Sequence, residues 1–346
     1  MKILLLHDLE SINIIKYIIE SMDVKYRVLN PPKYSPTKYS YLNKLLSLGI
    51  LLYLIIYTKI YNPKIVITFI DNYGLFETLS RAFIKIKFYS IQNGNRTKRE
   101  LIPDYGYGSK RMRNAPNFFC FGDYEEMMFN KFGHKAKRFI PVGSLRHSFY
   151  LANNNNTKIM NDICFVSMWR DVCFSPNSKM IEHEANNMKS VDKYMQQYIS
   201  ATGKSLSIAL RLGSNKEYNY YRELYGSSAK IVLREETSTY QLMDESELII
   251  SSHSTCCAEA FGIGKKVLWV DYSKDKRYSF YKEGLWLLTE NTYTAFKDRL
   301  NILLNMNQSE YNNKTKKYAD FVMKYDINQP TYLKIQNELK NSLLTN

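Results

Sequence analysis

Two doubly wound α/β domains, joined near the middle of the chain, are predicted from three observations. The chain has 346 residues, which suits two domains of ordinary size better than one. Short apolar runs of strand length alternate with stretches of helix length along almost all of it, the pattern of parallel sheets covered on both faces. Four consecutive asparagines at 153–156 are polar and without periodicity, and they interrupt the alternation near the midpoint.

Residues 2–6 (KILLL) are an apolar run suited to a buried first strand. A helix is expected over 11–22 and a second strand over 24–29, ended by Asn30-Pro31-Pro32. After an apolar helix and Pro63, residues 64–70 (KIVITFI) are a strong buried strand, followed by a helix over 72–83 and a strand over 86–91 that stops at Asn93-Gly94. Strands at 118–121 and 138–141 flank a helix at 124–132. Beyond the asparagines a second series begins: strands at 163–167, 205–210, 230–233, 248–251 and 266–270, and helices at 181–202, 216–225, 239–246 and 255–262. From Asn291 the tail is mostly helical. The expected domains are residues 1–152 and 158–325, with a closing helix at 326–346. Such a pair has a cleft between its halves, and ligands of doubly wound sheets sit beyond the carboxyl ends of the strands.

The formal net charge is +15. It reads either as a basic face for nucleotides or phospholipid headgroups, or as codon bias, because Lys, Asn, Ile and Tyr are abundant together. No RNA- or DNA-binding motif accompanies it, which argues against nucleic acid. The five cysteines include no CxxC pair, so neither a disulfide framework nor a zinc site is indicated and a reducing cytoplasm fits. The apolar run after Met1 is too short for a signal peptide. Residues 45–56 (LLSLGILLYLII) are almost continuously apolar, but a bilayer span needs roughly twenty residues. A buried helix is the first expectation. An interfacial helix is the second, because Lys44 and Lys59 flank the run and Tyr53 and Tyr57 lie on or beside it.

The strongest local chemistry is at 248–270 (LIISSHSTCCAEAFGIGKKVLWV). An apolar strand ends at Ser251, a turn carries His253, and a helix starts near Thr255. A helix N-terminus offers N–H groups and partial positive charge to a phosphate. Ser254 and Thr255 either cap that helix or bond the phosphate. Glu259 lies one turn inside, where a carboxylate can accept from ribose hydroxyls; an ordinary capped helix with a packed His253 is the competing account. Arg211, followed by Gly213-Ser214-Asn215, ends another strand and is placed either for a phosphate or donor carboxylate or for a salt bridge at the rim. Asp71 closes the strongest strand of the first half, as general base for an acceptor hydroxyl or as a helix N-cap. Asn72, Gln92, Asn93 and Gly94 lie beside it, for acceptor hydroxyls or as simple turn residues. Ser167, Trp169, Arg170 and Asp171 follow the first strand of the second half, and Asp171 is the second candidate acid or, in a retaining transfer, a nucleophile. Glu182 and Glu184 open the long helix and suit its dipole better than chemistry.

The 248–270 stretch resembles the donor-binding strand–turn–helix of GT-B glycosyltransferases, with its Ser/Thr turn, acid and Gly-Lys-Lys. ITFIDN (67–72), SIQNG (90–94), FCFGDYEE (119–126) and PVGS (141–144) look in this order like the N-terminal domain of bacterial surface-carbohydrate biosynthesis proteins. The likeness spans roughly residues 60–270. It implies a GT-B fold of two Rossmann-like domains, acceptor side first and nucleotide-sugar side second. It also implies a glycosyltransferase of capsule or O-antigen synthesis with a nucleotide-sugar donor and a glycan or lipid-linked glycan acceptor. Some relatives transfer Kdo or other ulosonates from CMP, but no motif here fixes the donor. GT-B enzymes generally need no metal, no DxD is present, and no cofactor is expected. The lipid-linked acceptors of the family imply a cytoplasmic protein at the inner membrane face. Competing readings on the same plan are a teichoic-acid-type glycerophosphotransferase, a nucleotide-sugar 2-epimerase, and a non-catalytic sugar-binding component of a capsule assembly complex.

Overall fold

The computed structural model describes residues 1–6, 12–30, 40–71, 73–96, 98–102, 113–154, 158–169, 182–211, 213–233, 236–252, 254–273 and 282–344. By its contacts the chain forms two compact units. The first is residues 1–94, 101–149 and 324–346, and the second is residues 95–100 and 150–323.

The first half of the chain runs β1 (Lys2–Leu6), α1 (Ile12–Glu20), β2 (Lys25–Leu29), α2 (Ser40–Tyr61), β3 (Ile65–Thr68), α3 (Gly74–Ala82), β4 (Lys87–Ile91), α4 (Lys98–Leu101), β5 (Asn114–Cys120), α5 (Asp123–Lys131), β6 (Lys135–Pro141) and α6 (Leu145–Asn153). Its strands form one sheet in the order β2-β1-β3-β4-β5-β6, every pairing parallel. The apolar strand runs explain this. Ile3, Leu4, Leu5, Ile65, Val66 and Ile67 are all buried, so both faces of the central strands need cover. One face is covered by α1 and the C-terminal helix through Ile15, Ile19, Ile335 and Leu339. The other is covered by α2 and α3 through Leu54, Tyr61, Phe76 and Leu79.

The second half runs β7 (Asn161–Val166), α7 (Glu182–Thr202), β8 (Leu206–Ala209), α8 (Asn215–Tyr225), β9 (Ala229–Val232), α9 (Thr239–Asp244), β10 (Ser246–Ser251), α10 (Thr255–Gly262), β11 (Lys266–Val270), β12 (Leu287–Leu288), α11 (Tyr293–Asn305), α12 (Gln308–Val322) and α13 (Thr331–Leu344). Its sheet has the order β12-β11-β10-β7-β8-β9, again all parallel.

Several elements differ from the sequence expectation: α4 is additional, and β5 and β6 begin at Asn114 and Lys135, ahead of the expected 118 and 138. The apolar helix is not confined to 45–56: α2 has 22 residues, because its less apolar ends continue the same helix. Helix α6 was not expected, and it takes in Asn153, the first of the asparagine run. Strand β12 is only two residues long, too short to leave a pattern in sequence.

The Val-Gly-Ser motif has a backbone reason. Gly143 adopts φ +92°, and a Cβ there would lie 2.1 Å from the carbonyl oxygen of Lys324. Only glycine tolerates both the left-handed conformation and so close a passage of returning chain. Around it, Lys324 N–H donates to Phe121 O at 2.8 Å and Thr331 Oγ1 to Val142 O at 2.7 Å, which tie the C-terminal segment into the first unit.

Candidate functional site

In the second unit the carboxyl ends of β7, β8 and β10 lie along one edge of the sheet, as parallel pairing requires. At this edge Glu217, fully buried on α8, is the common acceptor. It receives Ser167 Oγ at 2.6 Å, the Arg211 N–H at 2.7 Å and the Gly213 N–H at 3.1 Å. Ser167 in turn meets the Tyr221 hydroxyl at 3.0 Å and accepts from the Trp169 N–H at 3.1 Å. One carboxylate thus fixes the segments that leave β7 and β8, including the backbone of Arg211. Sequence reasoning missed it. The available signal is Ser214-x-x-Glu217, the capping-box spacing, and Ser214 does cap α8 by accepting from Glu217 N–H.

Helix α10 starts at Thr255 with Ser254 as N-cap, its hydroxyl accepting from Cys256 N–H at 3.3 Å. Thr255 Oγ1 accepts the Asn95 N–H at 3.0 Å, so its own proton points elsewhere. The helix closes with Gly264 at φ +85°, its N–H donating to Phe261 O and that of Lys265 to Ala260 O. This Schellman motif requires the left-handed residue that glycine supplies. Burial above all pushes the thiols of Cys256 and Cys257 upward, so neither is poised as a thiolate nucleophile.

Several residues expected at the donor have structural partners. Ser251 is fully buried and donates to Val166 O at 2.9 Å, pinning β10 to β7. Glu259 is 2% exposed and accepts the Tyr240 hydroxyl at 3.3 Å, because α10 packs this face against α9. Lys265 caps α9, donating to the carbonyls of Met243 and Asp244 at 2.9 and 2.5 Å, and burial pushes its pKa down. Lys266 pairs with Glu247 at 2.7 Å. The Gly-Lys-Lys stretch therefore serves the fold. His253 and Asp171, with Arg170, lie outside the described residues.

In the first unit Asp71 ends the strand region of β3 with its side chain 1% exposed. Its carboxylate lies 3.6 Å from Arg113 Nη1 and accepts the Asn93 N–H at 3.3 Å. Arg113 also donates to the Asp71 carbonyl and to Glu77 at 3.1 Å, and lies over the Phe129 ring. Gln92 is buried: its amide N–H donates to Gly94 O at 3.1 Å and its carbonyl accepts Phe121 N–H at 2.8 Å, so it shapes the turn. Asn93 and Gly94 are half-buried on that turn. Asn72 lies outside the described residues. No local spacing announces Arg113, which stands 42 residues from Asp71.

Residues 89–341 match the model of a family of O-antigen biosynthesis proteins, most of the chain's length. The chain belongs to that family. No curated protein matches it. Among solved structures it is similar to the UDP-GlcNAc 2-epimerase of Neisseria meningitidis, with TM-score 0.61, 14% identity and all of both chains covered. It is similar to a glycosyltransferase of Rickettsia africae, with TM-score 0.54, 13% identity, and 100% and 99% of the two chains covered. It is similar also to the wall teichoic acid polymerase TagF, with TM-score 0.55, 11% identity, and 99% and 90% covered. At such identities the likeness establishes the fold. This family member has two Rossmann-like units of the GT-B type.

Proposed function

We propose that this protein is a glycosyltransferase that moves a sugar from a nucleotide-activated donor to a growing surface glycan. The supporting observation is the sheet edge of the second unit, where the capped N-terminus of α10 follows β10 and Arg211 follows β8. One strand, β7, separates these two, so they stand roughly 10 Å apart across the edge. A helix N-terminus and a guanidinium at that spacing suit the phosphates of a nucleotide donor. They also take up the charge of the leaving nucleotide without a bound metal or cofactor. On this proposal the donor contacts come from Arg211, Ser254, Thr255 and His253, while Ser214 and Ser251 hold the surrounding backbone and Glu259 ties α10 to Tyr240 of α9.

On the acceptor side the proposal uses the turn of Gln92, Asn93 and Gly94 and its neighbour Asn72. Two carboxylates compete for the acid–base role. The Asp71 carboxylate is held by Arg113, which suits a positioning role. Asp171 is the alternative. A Kdo-type ulosonate carried by CMP is one donor class to test, and a capsule or an O-antigen is the product class.

Melting of the purified protein with CMP, UDP, GDP and dTDP tests donor binding, since a ligand of the native state raises the melting temperature. One nucleotide should do so, and Arg211→Ala should reduce the rise. Products with the matching sugar donor and an acceptor glycan should show sugar transfer, and comparison of Asp71→Asn with Asp171→Asn should assign the acid. An isomerised donor, a phosphodiester product, or no response to any nucleotide would overturn the proposal in favour of an epimerase, a glycerophosphotransferase or a non-catalytic component.

A further inference from the structure

Helix α2 presents an apolar face to solvent as well as to the core. Leu45, Leu48, Leu52, Ile56 and Ile60 recur every three or four residues, so they form one stripe along the helix. They are 48%, 53%, 50%, 57% and 78% exposed. The opposite face is buried, with Leu54 and Thr58 fully so. The helix contains no acidic residue in its 22 positions. Soluble surfaces rarely leave so continuous an apolar row uncovered without a partner.

The stripe ends at a basic groove. At the C-terminal end of α2, Tyr57, Ile60 and Tyr61 line a groove of about 650 Å³ together with Lys2, Lys25 and Arg27, and no carboxylate among the described residues lines it. Lys25 and Arg27 are two apart on β2, the edge strand of the sheet, and both are exposed. The Lys2 ammonium and the Arg27 guanidinium lie 5.3 and 5.4 Å from the Tyr61 ring centre. Tyr53, Tyr57 and Tyr61 run along the helix with ring centres 6.2 and 6.3 Å apart, linking stripe to groove.

We infer that this face docks on an anionic phospholipid bilayer. The stripe enters the acyl boundary, the tyrosines lie at headgroup level, and Lys2, Lys25 and Arg27 meet lipid phosphate. Charge complementarity selects this occupant: an apolar row beside a cation-lined groove fits a surface that is apolar below and negative above. No helix among the described residues is long and apolar enough to cross a membrane. The inward face of α2 is committed to the core, so the helix lies on the bilayer. This inference stands independently of the proposed transferase activity.

The test is co-flotation of the full chain with vesicles of phosphatidylcholine alone or equimolar with phosphatidylglycerol. The protein should float with the anionic vesicles, less so at high salt, and hardly with phosphatidylcholine alone. Lys25→Glu with Arg27→Glu should weaken binding at least about tenfold. Leu52→Ser, Ile56→Ser and Ile60→Ser together should abolish it, and Ile60→Asp alone serves as a milder variant should the triple one fold poorly. Unchanged melting of the variants shows the fold is kept. Absence of flotation with anionic vesicles, or flotation that neither set of substitutions reduces, would overturn the inference. So would a dimer in light scattering that the serine variant converts to monomer, since the stripe would then face a second copy.

Discussion

Replacing Glu217 with Gln tests whether one buried carboxylate organises the edge proposed to bind the donor. Gln keeps the shape and one acceptor oxygen, which can still take Ser167 Oγ and the Arg211 N–H. Its amide nitrogen then meets the Gly213 N–H where the carboxylate oxygen now accepts at 3.1 Å, donor against donor. At least one hydrogen bond to a carboxylate is lost in a site with no exposure, which costs about 2–3 kcal/mol. With a urea dependence of about 2 kcal/mol per molar, the unfolding midpoint of the second unit should fall by about 1 M. Binding should suffer too, because the segment that carries Arg211 loses its anchor at Gly213. The affinity for the nucleotide that most raises the melting temperature should drop about tenfold, equivalent to about 1.4 kcal/mol. Glu217 acts on binding through Arg211, so the double variant with Arg211→Ala should bind no more weakly than Arg211→Ala alone. Unchanged stability and binding in Glu217→Gln, or additive losses in the double variant, would refute this account.

Four further outcomes are expected. Gly143→Ala forces a left-handed residue and a clash with the Lys324 backbone, so it should cost at least about 2 kcal/mol and lower the melting temperature by about 5 °C or more in calorimetry. Asp192, wholly buried with only the Tyr220 hydroxyl on its carboxyl at 2.7 Å among the described residues, is pushed up to about 7, first by burial. Its folded-state pKa lies above its unfolded one, so its contribution to stability is full below about pH 4, falls up to about pH 7 and then levels off; the difference in stability between the protein and Asp192→Asn should follow that curve in urea titrations at several pH values. Lys265→Met removes the donor to the carbonyls that end α9 and should cost about 1–3 kcal/mol in the same titrations. Arg211→Ala should weaken nucleotide binding about tenfold or more by calorimetry, the worth of a charge-assisted bond.

The fold was legible because a parallel sheet buried on both faces writes continuous apolar runs into the chain. KILLL, KIVITFI and the LIIS of 248–251 are such runs, and they lie in β1, β3 and β10. What failed to show is what packing writes weakly. In α6 the buried positions Leu145, His147 and Ser148 include two polar residues, so no apolar stripe marked it. The ends of α2 carry Ser, Asn, Lys and Thr among their apolar residues, and the helix continues through them because the middle is already packed on the core.

The hydrogen-bond partners of the residues singled out in the sequence were not legible, for a physical reason. Residues at the carboxyl ends of parallel strands face the place where ligands bind, but they also face the ends of neighbouring strands, whose last carbonyls and N–H groups need partners of their own. Sequence cannot tell which demand a hydroxyl or amide meets, because the competing partner is remote. Ser251 answers a carbonyl 85 residues away, and Gln92 answers an N–H 29 residues away. Glu217 went unseen for the converse reason: it sits inside a helix, yet its side chain folds back to the strand end six residues earlier and reaches Ser167 50 residues away. The donor edge is thus made by two sets of residues. Ser251, Ser214 and Glu217 hold the loops in place, and Arg211 with the start of α10 offers charge and N–H groups from loops so held. A substitution in the first set should lower stability and binding together, whereas one in the second should lower binding more than stability. Comparing Glu217→Gln with Arg211→Ala in one melting series separates them.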